Sequence, residues 1–308
     1  MKPKVNVLLA TYNGEKYLRR QLDSVLAQTY DNIDTYIRDD GSSDKTVDII
    51  KKYADKEYQG KRVIYIESDG KNLRCPGSFY EIARCCDDAD YYAFCDQDDE
   101  WYPEKIEWAV TRLEKENNDE LLVYYTASDY LEDDGTFIRK SPLQKEKLTV
   151  TDVMYYTPGS GFTIVFNDVA RRKLILDCNP GNELHDRWML RGAACFGKAI
   201  YDQNSSAAHI RHAEAVTADD SDNRSLLANF VKNELMGKGA KEEKRNLRYF
   251  TKTFWEDLDK YEKKQLELFC RKKNTPALWL KKVFYPRRLR QRFGGELALR
   301  ILFFCGIL

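Results

Sequence analysis

The chain has 308 residues, 43% hydrophobic and 32% charged, enough to bury a full core as one large α/β domain or one domain with an appendage. Fifty Lys and Arg balance fifty Asp and Glu, so no global field recruits nucleic acid or steers an acidic substrate. The eight cysteines form no C-x-x-C pair and Met1-Lys2-Pro3-Lys4 runs into a strand without a signal-peptide core, so a cytoplasmic, reducing location is expected.

Val5 to Ala10 reads as a buried strand, and Glu15 to Gln28 carries Tyr17, Leu18, Leu22, Val25 and Leu26 at helical spacing. Asp34 to Arg38 predicts a second strand, and Ser43-Asp44 opens a helix through Tyr53. Arg62 to Glu67, a helix from Pro76 to Cys86, a fourth strand from Tyr91 to Cys95 and a helix from Pro103 to Lys115 continue the alternation. Strands joined by helices of this length are parallel neighbours with right-handed crossovers. The expected fold is α/β, a doubly wound, mainly parallel sheet flanked by helices, with ligands at the carboxyl ends of its strands.

Those strand ends collect the unusual residues. The first strand ends in Ala10-Thr11-Tyr12-Asn13-Gly14 and the second in Asp39-Asp40-Gly41-Ser42-Ser43-Asp44. The fourth ends in Asp96-Gln97-Asp98-Asp99, ahead of Glu100-Trp101 and Pro103. Carboxylates crowded at a strand end repel one another unless a cation sits among them, and a hard divalent ion bound through oxygen resolves that repulsion. The competing reading is an acidic turn capping the helix that Pro103 opens. Capping needs one Asp, whereas this turn has three. Neither G-x-G-x-x-G nor G-x-x-x-x-G-K-[ST] occurs, so phosphate binding here must come from a metal.

Downstream, Thr157-Pro158-Gly159-Ser160-Gly161 is a glycine-rich turn leading into a strand, and Ala208 to Ala213 holds two of the three histidines. Ala213 to Asn223 reads as a polar loop suited to cover a ligand site. Leu226, Leu227, Phe230, Val231 and Leu235 mark an amphipathic helix, and Lys241 to Lys273 is a charged helical region with an apolar stripe from Tyr249 to Phe269. The last segment alternates bases with aromatics from Trp279 to Phe293 and closes on an apolar run too short to span a bilayer. Such a segment suits a helix lying on an anionic membrane surface. A homodimer contact and packing of these helices back on the catalytic domain are equally open. Nothing upstream reads bases, so nucleic acid is discounted.

Together, Val7 to Asn13, the Asp39 to Asp44 turn with Thr46, the Asp96 to Asp99 cluster and Glu183-Leu184-His185-Asp186-Arg187-Trp188 resemble the family 2 glycosyltransferases, nucleotide-sugar-dependent enzymes of the GT-A fold. The resemblance covers roughly the first 215 residues. Within the family, Phe94 to Trp101 is most similar to bacterial rhamnosyltransferases of polysaccharide assembly. It implies a GT-A catalytic domain over residues 1–222 and a helical extension over 223–308.

The resemblance also implies roles. Ala10, Tyr12, Asn13, Asp39, Asp40, Asp96, Asp98 and Arg211 would bind the nucleotide sugar, with Tyr12 on the base and Asp40 accepting from it. Asp39 either joins Asp40 or caps the turn, and Tyr12 could instead pack in the core beside Tyr17. Asp99, Asp98 and His212 would hold Mn2+ or Mg2+. Asp186 would be the catalytic base that takes the acceptor proton, with Glu183 and His185 as rivals. On this reading an inverting enzyme moves a sugar from dTDP-rhamnose or a UDP-hexose to a glycan or lipid-linked glycan, on the inner face of the cell membrane. Two other classes stay open: a nucleotidyl- or phosphotransferase sharing the acidic metal site, and a non-catalytic glycan- or membrane-binding scaffold.

Overall fold

The computed structural model describes residues 2–54, 56–68, 70–211, 239–271 and 275–308. His212, the polar loop expected at 213–223 and the helix expected at 226–235 therefore lie outside the described residues. The described chain divides into two compact units. The first comprises residues up to 147, 158–193 and 197–211; the second comprises 148–157, 194–196 and the described residues from 239 onward.

The first unit is built on a mixed sheet. In chain order its strands are β1 (Val5–Thr11), β2 (Ile33–Asp39), β3 (Glu57–Tyr58), β4 (Lys61–Ile66), β5 (Tyr91–Cys95), β6 (Asp99–Trp101), β7 (Leu121–Glu132), β8 (Phe137–Lys140), β9 (Val165–Asn167) and β10 (Gly197–Arg211). Their order across the sheet is β3-β4-β2-β1-β5-β9-β7-β10-β6, with β8 on β7. The run β4-β2-β1-β5 is parallel throughout, as the alternation of strands and helices requires, and Val5 pairs with both Ile33 and Tyr91. Beyond β5 the sheet turns mixed: β9 is antiparallel to β5 and β7, and β6 is antiparallel to β10. The short strands β6 and β9 carry too few residues for an alternating pattern to announce them.

Helix α1 (Leu18–Leu26) lays Leu18, Leu22 and Val25 into the core against Val5, Val7 and Leu9, each such side chain stabilising the fold by roughly 1.5–3 kcal/mol. It starts later than its apolar spacing suggests, because the Gly14 carbonyl accepts from the amides of Tyr17 and Leu18 and holds the preceding residues in a turn. Helices α2 (Thr46–Tyr53), α3 (Arg74–Cys85) and α4 (Lys105–Leu113) occupy the expected places. After β9 come the single turn α5 (Asp168–Arg171), continued by a π-helical segment over Arg172–Leu176, and α6 (His185–Phe196).

The second unit contains α7 (Gly239–Thr253), α8 (Lys260–Cys270), α9 (Pro276–Val283) and α10 (Phe293–Phe304). The expected continuous helical region is broken between α7 and α8, where Asp259 and Glu262 form a capping box. Its apolar stripe is also divided. Leu258, Leu266 and Phe269 are buried with Val150, Met154 and Tyr155 in the unit's core, and Phe250 and Phe254 are buried against Phe196, whereas Tyr249, Trp255 and Tyr261 are exposed. Among the described residues no helix is long and apolar enough to cross a membrane.

Candidate active site

The carboxyl ends of β1 and β2 are tied to each other by side-chain to main-chain hydrogen bonds. The amide of Asn13 donates to Ser42 Oγ (2.8 Å), Asn13 Oδ1 accepts from the Ser43 amide (2.8 Å), and the Gly14 amide donates to Thr46 Oγ1 (2.7 Å). Asn13 takes a positive φ of 48° to do this, a conformation that Asn tolerates better than most residues. Asp39 is used up inside the turn: its carboxylate accepts from the amides of Gly41 and Ser42 and the hydroxyls of Ser42 and Thr11. Of its two expected roles, the geometry displays turn capping. Asp40 is buried and pairs with Arg38, whose guanidinium also reaches Ser78 Oγ and the Lys71 carbonyl. Ala10 is half-buried on β1 opposite Arg38. Tyr12 is 50% exposed at the end of β1, which excludes the core-packing alternative and leaves an aromatic face open to a ligand.

Gln97 joins this rim to the acidic turn. Its side-chain amide pairs with both main-chain groups of Tyr12, accepting at 2.9 Å and donating at 3.0 Å, and a side chain at Gly14 would collide with it. The three aspartates around Gln97 differ sharply. Asp98 is half-buried and Asp99 fully buried. Burial, reinforced by the charges of Asp99, Asp98 and Asp186, pushes the Asp96 carboxyl well above the usual range. Asp99 is pushed up to about 6, mainly by burial, while its hydrogen bond to His209 opposes the rise. The helix-capping alternative fails, because α4 begins at Lys105 with Glu104 as its cap residue and no side-chain cap bond.

Asp99 lies in β6, directly opposite His209 of β10, with Asp99 Oδ1 2.8 Å from His209 Nδ1. Burial disfavours a charged His209, but the Asp99 hydrogen bond and charge outweigh it and raise the pKa of the imidazole. Behind them Lys105 is buried, bonded to Ser206 Oγ and stacked over Trp101; burial drops it to about 7 against the pull of Cys95 and Asp99. Sequence reasoning selected neither His209 nor Lys105, since only the antiparallel pairing of β6 with β10 brings them to Asp99. Arg211, two residues past His209 on the same strand, is exposed and lies 3.7 Å from Glu132. Among the described residues no group of three or more His, Cys, Asp or Glu is arranged to hold a metal by itself. The donor set still suits a hard cation that takes one or two carboxylates and completes its shell with phosphate oxygens and water, because Asp98 is accessible and its neighbours crowd it with negative charge.

The first turn of α6 brings the last carboxylate to this cluster. Trp188 Nε1 donates to the Leu174 carbonyl (2.7 Å), and Gly192 allows the Leu174 side chain to sit where a Cβ would be, so α6 is clamped at two successive turns. Asp186, in the first turn of α6, is half-buried; burial raises its pKa against the opposing charge of Arg187. Its field is also felt at Asp96 and Cys75. The two rivals have other work. Glu183 is buried and paired with Arg191 (3.0 Å), and its carbonyl accepts from Tyr80 Oη (2.8 Å). His185 is packed between Phe79 and Phe94, with neither ring nitrogen hydrogen-bonded, and its Nε2 lies where a Cβ on Gly161 would stand. Burial lowers its pKa to about 3, so it is neutral and unable to hold an acceptor proton near pH 7.

The buried His185 gives a stability prediction. A histidine whose folded pKa is depressed costs stability as pH falls below its unfolded value near 6.5, since only the unfolded chain then takes up the proton. At pH 5 the cost is on the order of 2 kcal/mol, full size being reached only near pH 3. His185→Leu should therefore lose less thermal stability than wild type between pH 7 and pH 5, measured by paired melting curves. Equal losses would show that His185 titrates freely in the folded state.

The family model described as Glycosyl transferase family 2 matches residues 6–175, more than half of the chain and all of the strand-end loops from Tyr12 to Asp99. The chain belongs to glycosyl transferase family 2. The match ends before Asp186. An uncharacterised glycosyltransferase of Rickettsia typhi is 34% identical over 153 residues, 48% of this chain and 45% of that protein. The dTDP-rhamnosyl transferase RfbG of Shigella flexneri is 30% identical over 196 residues, 59% of this chain and 63% of its own length. The matches thus cover less than two thirds of either relative. Among solved structures, S. aureus TarS (residues 1–349) superposes with a TM-score of 0.57 at 16% identity, covering 97% of this chain and 80% of that one. Its complex with UDP-GlcNAc gives 0.56 at 15% identity, covering 98% and 92%. At such identity the likeness concerns the fold, and the fold is GT-A.

Proposed function

We propose that this family 2 protein is an inverting glycosyltransferase that moves a sugar from a nucleoside-diphosphate sugar to a hydroxyl of a cell-surface glycan precursor. The observation that carries the reading is the convergence of Asp96, Asp98, Asp99 and Asp186 at one end of the sheet beside the open face of Tyr12. RfbG argues for dTDP-rhamnose as donor and the TarS complex for a UDP-sugar; both share the same diphosphate chemistry. Tyr12 would stack on the base, and Asp40, held in place by Arg38, would accept from its edge. Asp98 would hold Mn2+ or Mg2+, with Asp99 and His209 behind it; when bound, the ion supplies positive charge against the developing diphosphate.

Asp186 takes the acceptor proton. Its carboxyl, raised by burial against the opposing charge of Arg187, is a better base than a solvated aspartate. Removal of the proton sharpens the acceptor oxygen for attack on the anomeric carbon from the face opposite the leaving group. A single displacement with one base and no protein nucleophile inverts the configuration. Thermal-shift screening of nucleotide sugars tests the donor site. A cognate donor at about a hundred times its dissociation constant should add ~2.7 kcal/mol, and the gain should need Mn2+ or Mg2+. No shift with any nucleotide sugar, with or without metal, would remove the reading.

A further inference from the structure

The C-terminal helices carry an apolar face that their own core does not use. Helix α10 buries Leu299, Leu302 and Phe303, yet Phe293, Leu297, Ile301 and Phe304 recur at intervals of three to four along its other side. They are exposed by 70%, 52%, 39% and 63%, so a stripe runs the length of the helix in water. Trp279 of α9 extends the apolar surface, since its ring packs at a tilt against Phe304 (5.4 Å between centroids) and its Nε1 donates to the Phe304 carbonyl. One turn apart beside it, Leu280 and Phe284 are also exposed, Phe284 by 74%. Isolated exposed apolar residues need no explanation, but an aligned set of this size marks an interaction surface.

Charge identifies the partner. Residues 275–308 contain seven Lys and Arg against one acid, Glu296, in a chain whose total charge is zero. Glu296 is buried, bonded to the amides of Leu289 and Arg290 and to Arg300, and offers no counter-field. Lys281, Arg287, Arg288 and Arg292 remain exposed, and the Arg288 guanidinium stands 6.0 Å from the Phe293 ring at the start of the stripe. Apolar side chains along one helix face, with arginines at their edge, are the combination that binds an anionic lipid interface: the rings enter the acyl boundary and the guanidinium groups stay among the phosphates. A protein partner matched to the stripe alone would leave this excess of positive charge without a role.

The geometry points to the exposed face of α9 and α10 as a docking surface for an anionic membrane, on which the protein lies without crossing the bilayer. This inference does not depend on the transferase reading, because no donor- or acceptor-site residue belongs to it. Deleting the segment is a poor test, since Leu299, Leu302 and Phe303 are core residues of their unit. Point substitutions on the exposed face avoid this.

The full-length protein should co-float with mixed phosphatidylcholine and phosphatidylglycerol vesicles, not with phosphatidylcholine alone, and added salt should weaken the association. Phe293→Ser with Phe304→Ser, and separately Arg288→Glu with Arg292→Glu, should each reduce partitioning at least about tenfold with unchanged melting temperature. Absence of binding to the anionic vesicles, or binding that both pairs leave intact, would overturn the proposal. So would a concentration-dependent dimer in analytical ultracentrifugation, abolished by the phenylalanine pair in a protein that ignores vesicles. That outcome would assign the face to a second copy of the chain.

Discussion

Asp186→Asn is expected to lower sugar transfer about 100-fold or more while leaving nucleotide-sugar affinity nearly unchanged. The amide preserves the shape of the side chain in the first turn of α6 and can keep the bond from the Arg187 amide, but cannot receive the acceptor proton. The loss should therefore fall on kcat. A pH profile adds an independent reading. Because burial raises the Asp186 carboxyl, the wild-type rate should decline on the acid side at a pH above the ordinary aspartate value of 3.8, and the residual rate of the variant should lack that limb. Near-normal turnover would move the role elsewhere, although Glu183 is already engaged by Arg191 and His185 is held neutral.

Asp98→Asn should weaken metal-dependent donor binding on the order of 10- to 100-fold, because it removes a charged oxygen ligand from a hard cation. Asp99→Asn provides the contrast. Its carboxylate faces His209 in the sheet, so its loss should act through the position of that ring and cost less. Titration calorimetry with nucleoside diphosphate and Mn2+ ranks the two variants. A larger loss for Asp99 than for Asp98 would place Asp99 itself on the ion, as its place in the acidic motif first suggests.

The parallel half of the sheet was legible because its strands are short segments of five to seven residues rich in Val, Ile, Leu and Tyr, separated by helices with clear spacing. The strand-end loops were legible for a different reason: Asp, Asn, Gly and Ser in such density serve turns and ligands, not cores. What the residues alone did not reveal depends on pairing at a distance. Nothing local tells that Asp99 begins a strand, or that residue 209 will face it across β10. The division of labour among Asp39, Asp40, Asp98 and Asp99 likewise follows from which carboxylate the backbone amides, Arg38 or His209 consume. At the C-terminus the alternation of bases and aromatics was plain. The split of α10 into a buried and an exposed apolar face appears only once its packing partners are in place.

The proposed function rests on cleavage of the bond between the sugar and the diphosphate, and product analysis addresses that bond directly. Purified protein should be incubated with dTDP-rhamnose and a set of UDP-hexoses, with and without Mn2+, and the released nucleotide identified. The account predicts metal-dependent release of the nucleoside diphosphate from one of these donors, suppressed by Asp98→Asn. Release of nucleoside monophosphate or of a sugar phosphate would show chemistry at phosphorus and place the protein among the nucleotidyl- or phosphotransferases. No release from any donor, despite donor binding, would leave a sugar-binding scaffold on a transferase fold.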